Sequence, residues 1–171
     1  MVISIAHELA DSQLVAQSIG QIYSVLCASP AYLQRRGVPH TPLALNEHQC
    51  LRMVDPLYSD EWVFQDEHGE QALSPAKTFQ CNVAESMVKA SEAGMGVSLI
   101  PFYTATRPLS DGTLLRLLPA WCPRQRTVYA LYPSRRFLDA KVRTWVDFLK
   151  AELPRLFAEH EAVMDDPRHW A

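Results

Sequence analysis

Four cysteines and six histidines are the residues of this chain best equipped for nucleophilic or metal chemistry, and their spacing supports neither. Cys27, Cys50, Cys81 and Cys122 stand singly, with no CxxC pair. Disulfide frameworks and thiolate metal sites both need cysteines in close pairs or at high density. His7, His40, His48, His68, His160 and His169 share no ligand spacing; His48 and Cys50 lie two apart, but no second pair joins them. No metal and no cofactor are expected. Cys81 precedes a predicted helix start, where a thiolate is favoured, so it reads either as a redox thiol or as an ordinary buried cysteine. There is no Walker loop, GxSxG elbow, HExxH or GxGxxG. Gly94-Met95-Gly96 is a lone GxG joining a helix to a strand, the reverse of the order a dinucleotide site requires. An enzyme would therefore need a dispersed site built on a polar pair poised for proton transfer, and a binding protein is the expectation.

Binding chemistry is offered where strands run out into helices. A helix start presents backbone N–H groups and the positive end of the dipole, which attract small anions. Phe79-Gln80-Cys81-Asn82-Val83 is one such junction and Ile100-Pro101-Phe102 is another. Asn82 with Glu85 three residues later forms an N-x-x-E variant of the capping box, so Asn82 is the expected N-cap. Both junctions are equally readable as nothing more than well-capped helix starts.

The elements that hold these junctions follow an alternating β and α pattern, the mark of an α/β fold. Strands are expected over residues 2–6, along 14–28 with Gly20 as a break, and near 50–54, 77–81, 97–100, 114–118 and 127–132. A hairpin joins 61–65 to 71–73. Pro30 opens a short helix over 31–36 that Gly37 closes, and a turn of helix is expected near 43–47. A helix from Asn82 ends at Gly94, another starts at Pro101, and Leu138, Val142, Trp145, Val146, Leu149 and Leu153 trace one face of a last helix. Pro154 is expected to kink or end it, leaving residues 154–171 as a frayed tail.

The 171 residues suit one domain, or one large and one partial lobe. Sixteen basic residues against nineteen acidic leave a net charge of −3. A chain that grips a phosphate backbone carries a basic excess, so direct nucleic-acid binding is not expected. Nothing approaches the roughly 18 apolar residues that span a bilayer. A cytoplasmic protein with reduced thiols and no membrane contact is the expectation.

Four stretches in order resemble the effector-binding domain of LysR-type transcriptional regulators. Val25-Leu26-Cys27-Ala28-Ser29-Pro30-Ala31-Tyr32-Leu33 is similar to the crossing into that domain's second lobe. Trp62-Val63-Phe64 resembles the family's W-x-F strand. Asn82-x-x-Glu85 followed by Gly94-x-Gly96-Val97-x-Leu99-Ile100-Pro101 resembles its helix and glycine-led strand. Tyr129-Ala130-Leu131-Tyr132-Pro133-Ser134-Arg135-Arg136, with Ala140-Lys141-Val142-Arg143, resembles the return strand and C-terminal helix.

The resemblance covers about residues 1–150 and implies a periplasmic-binding-protein-like type II fold, with one complete lobe (RD-II) and part of the other (RD-I). Residues 1–26 would be the first-lobe remnant and first crossing strand, 27–128 the second lobe, and 129–153 the return strand and helix. By family position the effector would face Ala6, His7, Phe79, Cys81, Asn82 and Gly96. The implied partners are a small effector, expected to be anionic, and further copies of the chain in a dimer or tetramer. DNA would be reached only through an N-terminal winged helix-turn-helix that this sequence lacks. A stand-alone periplasmic-type binding protein and a thiol redox sensor using Cys81 or Cys27 are the rival readings. With much of the first lobe missing, the 2–6 strand and the last helix are expected either to self-associate or to be disordered.

Overall fold

The computed structural model describes residues 2–6, 14–54, 61–66, 69–123, 125–132 and 140–171. In chain order the elements are β1 (Val2–Ala6), β2 (Val15–Ile22), β3 (Ser24–Ala28), α1 (Pro30–Arg36), a 3-10 turn (Pro42–Glu47), β4 (Cys50–Met53), β5 (Trp62–Asp66) and β6 (Gly69–Leu73). There follow β7 (Lys77–Cys81), α2 (Ala84–Glu92), β8 (Val97–Pro101), α3 (Phe102–Ser110), β9 (Leu115–Leu117), β10 (Cys122–Pro123), β11 (Arg126–Tyr132), α4 (Ala140–Met164) and a 3-10 turn (Pro167–His169). The chain divides into two units, Met1–Ile22 with Gln125–Glu159, and Tyr23–Arg124 with His160–Ala171.

The first unit carries a three-stranded antiparallel sheet in the order β1-β11-β2. β11 alternates inward Val128, Ala130 and Tyr132 with half-buried neighbours, the period-two pattern of a strand covered on one face. β1 pairs with it over five residues, from Val2↔Leu131 to Ala6↔Thr127. Gly20 does not break β2. The strand runs on to Ile22 but carries a bulge at Ile19, beside the glycine, where Val128↔Gly20 is followed by Tyr129↔Ser18. A Cβ on Gly20 would lie 2.9 Å from the Phe157 ring, so glycine admits that ring against the strand. On α4, Val146 is buried while Val142, Leu149 and Leu153 are half-buried. Trp145, expected on that covered face, is 48% exposed and stacks at 5.4 Å on Phe148. Leu138 lies outside the described residues.

The second unit is built on a five-stranded mixed sheet, β7-β4-β8-β3-β9, with a smaller sheet β10-β5-β6 beside it. β3 is buried along its whole length and pairs antiparallel with β8 and β9. Between Tyr32, Leu45, Trp62, Phe64, Val97 and Leu117 lies an apolar core that both sheets share. α1 starts as its sequence requires: the Ser29 hydroxyl accepts from Tyr32 N–H and Pro30 opens the first turn. Gly37 follows at φ +83°, a conformation that suits glycine. The hairpin pairs Trp62↔Leu73 through Asp66↔Gly69. Residues 154–171 are not a frayed tail. α4 stays helical through Pro154 to Met164, Met164 is fully buried, and the segment from His160 onward belongs to the second unit. The proline effect is local, while burial of the end of the helix decides its persistence.

Candidate functional site

β4, β7 and β8 run parallel, so their carboxyl ends point one way, and ligands of open α/β sheets collect outside such ends. β7 carries Phe79 and Cys81 two residues apart, on one face of the strand; both are half-buried. The ladder continues through Met53↔Cys81, and Val54 N–H donates to the Cys81 carbonyl at 2.8 Å. That pairing keeps the chain extended through Cys81 and moves the helix start one residue past its expected place. Val83, not Asn82, is the N-cap of α2, with φ −120° and ψ 117° and no side-chain cap. Asn82 is exposed, and the capping box with Glu85 does not form. The first turn of α2 is left to backbone N–H groups, with Glu85 as its acidic residue. Cys81 turns its thiol to the Val83 carbonyl at 3.3 Å.

Gly96 sits elsewhere. It precedes β8, whose Val97 is level with Cys50, whereas Cys81 is level with Met53. At about 3.3 Å per residue the two places are roughly 10 Å apart along the sheet. A Cβ on Gly96 would lie 2.2 Å from the Gln49 carbonyl oxygen, which also accepts from Val97 N–H at 2.8 Å. The glycine is there so that β8 can approach Gln49. Ala6 ends β1 in the other unit, and His7 lies outside the described residues. Of the six expected effector residues, the structure brings Phe79, Cys81 and Asn82 together and places Gly96 at the other end of the parallel strands.

A groove of about 1060 Å³ that the sequence did not single out lies among the start of α1, α2 and α3. Four of its charges pair: Lys89 with Glu92 at 2.7 Å, and Arg107 with Asp111 at 3.4 Å. Hydrogen bonds from Lys89 and Thr113 hold the Glu92 carboxyl below the usual range. The i,i+3 and i,i+4 spacings of these pairs were legible, but the convergence of the three helices was not.

Two of the thiols are held protonated by burial. Burial pushes Cys27 up to about 12, with Arg116 opposing weakly, and burial likewise pushes Cys50 up to about 12. Neither is a ready thiolate at neutral pH. His48 is lowered by burial and then by Arg36; its Nδ1 shares a 3.1 Å hydrogen bond with the Tyr32 hydroxyl. Among the described residues no group of three His, Cys, Asp or Glu side chains is placed to hold a metal ion.

Residues 1–154 match the model of the LysR substrate binding domain. The chain belongs to the LysR substrate-binding domain family. The HTH-type transcriptional activator AaeR of Escherichia coli K12 is 29% identical over 154 residues, 88% of this chain and 50% of the relative. The full-length Vibrio cholerae virulence activator AphB superposes with a TM-score of 0.76 at 28% identity, covering 88% of this chain and 50% of AphB. The CrgA regulatory domain of Neisseria meningitidis gives 0.75 at 26% identity, over 88% of this chain and 74% of that domain. The LysR substrate-binding chain thus spans about half the length of the curated relatives it matches. Its neighbours are regulatory domains of LysR-type regulators, and its fold is the periplasmic-binding-protein-like type II fold. No helix among the described residues is long and apolar enough to cross a membrane.

Proposed function

We propose that this chain is the part of a cytoplasmic LysR-type transcriptional regulator that senses a small carboxylate and passes the binding event to DNA through the geometry of an oligomer. The observation that carries the reading is the junction of β7 with α2. Two parallel strands end there, and a helix begins without a side-chain cap. A ligand carboxylate supplies the acceptor that no cap residue provides, and the helix dipole favours its charge. Asn82 is the exposed polar residue at that start, preceded on β7 by the half-buried Phe79 and Cys81. Gly96 acts by seating β8 against Gln49.

Sensing needs more than binding. The effector must favour one state of the oligomer over another, by about 1–3 kcal/mol in typical couplings. Copies of the chain associate, and DNA is held by a winged helix-turn-helix outside these residues. The reading is tested by thermal shift against a panel of small carboxylates and neutral amines. A carboxylate at 100 times its Kd should add about 2.7 kcal/mol of stability. Shifts from amines with none from carboxylates would refute it.

A further inference from the structure

The five-stranded sheet has two edges, and β9 forms one of them. On its inner side β9 pairs with β3, from Leu26↔Leu117 to Ala28↔Leu115. On its outer side Trp170 and Ala171 are in place. Arg116 forms a parallel bridge with Trp170, and Ala171 N–H donates to the Arg116 carbonyl at 3.0 Å. Two further donors converge on the carbonyl that precedes the segment. The Arg116 guanidinium, from a side chain only 7% exposed, and the Trp170 indole N–H both donate to the Met164 carbonyl at 2.8 Å. That carbonyl ends α4, where no helical N–H remains to pair with it.

The segment is shaped in advance for this place. Asp166 accepts from the Arg168 N–H at 3.0 Å, and from its Nε at 2.9 Å, while Pro167 stiffens the first position of the 3-10 turn. A turn already set by its own hydrogen bonds loses little further freedom on docking. The family match ends at residue 154, so the segment that docks on β9 lies beyond it.

An unpaired strand edge templates pairing with another chain, and natural sheets block such edges. We propose that residues 165–171 are an edge guard: while docked they occupy the outer side of β9, and when they lift away that edge pairs with the same edge of a second copy. The contacts on which this rests are few: one bridge, of which the Ala171-to-Arg116 hydrogen bond is part, one ion pair between Arg116 and Asp165 at 3.5 Å, and two donors to the Met164 carbonyl. That is a small set to break, which suits a device that opens locally without unfolding the sheet.

The test compares the full chain, a chain ending at Asp166 and the Trp170→Ala variant, by hydrogen exchange over residues 114–118 and by light scattering across a concentration series. In the full chain this stretch should exchange slowly at every concentration. In the shortened chain it should exchange at least about tenfold faster when dilute. Protection should return as the scattering mass climbs above that of the full chain. Trp170→Ala should fall between the two. Exchange within about twofold of the full chain in both variants overturns the proposal, as does fast exchange at every concentration with no gain in mass. Loss of the far-UV helical signal on shortening also overturns it, because the segment would then belong to the core.

Discussion

At Val83 a single residue decides both a helix start and a candidate ligand site. Its backbone is extended, the residue is 46% exposed, and its apolar side chain caps none of the first N–H groups of α2. An aspartate there would accept from the N–H of the second or third helical residue, which is worth about 0.5–2 kcal/mol. Val83→Asp should therefore raise the urea midpoint and, by occupying the same N–H groups with a resident carboxylate, weaken carboxylate effectors. Asn82→Ala should leave stability within about 0.5 kcal/mol, as expected for an exposed residue that caps nothing, so the two variants separate stability from binding. The buried thiols add a pH dependence. Cys27 titrates at 9.0 ordinarily and near 12 in the fold. The unfolded chain thus releases that proton first, and the stability it contributes is complete below about pH 9 and is lost as pH rises toward 12. Urea titrations at stepped alkaline pH should show this decline, flattened in Cys27→Ala, and alkylation of Cys27 at pH 8 should require unfolding.

Among the elements, α4 departs most from what local rules predict. A proline inside a helix removes one hydrogen bond and crowds the preceding turn. Here Pro154 leaves the Lys150 carbonyl without its i+4 donor, yet the helix continues to Met164. Its persistence rests on tertiary contacts at both ends: Val146 buried in one unit, and Met164 buried and accepting from Arg116 and Trp170 in the other. Replacing the exposed Pro154 with alanine should then stabilise the protein, by up to about 3 kcal/mol. A lowered melting temperature would show instead that the proline shapes a bend the fold needs.

For the molecule as a whole, exposed apolar surface on the first unit argues for association. Trp145, Phe148 and Leu156 share one face of α4 and are 48%, 50% and 45% exposed, and Ile3 on β1 is 45% exposed. Such surface is worth roughly 25 cal/mol for each Å² removed from water, and clustered exposure of this kind marks interaction sites. Replacing Trp145 and Phe148 with serine should lower the weight-average mass in concentrated solution, read by light scattering, without changing the far-UV spectrum. An unchanged mass would place association elsewhere on the chain.

Much of this protein was determined by sequence alone. Strands and helices fall close to their expected spans because period, turn residues and proline positions are local properties. The family was legible in four ordered stretches, since backbone-shaping residues such as Pro30, Gly94 and Gly96 are constrained by geometry they cannot avoid. Tertiary structure decided the remainder. Pairing of β7 with β4 held Asn82 out of the cap position. The placement of Gly96 against Gln49, rather than beside Cys81, follows from parallel strands whose register no local pattern encodes. Likewise, nothing near Arg116 in the chain announces that residues 164–171 will close over it. In each case the deciding contact joins residues distant in sequence, so its energy exists only once the chain has folded.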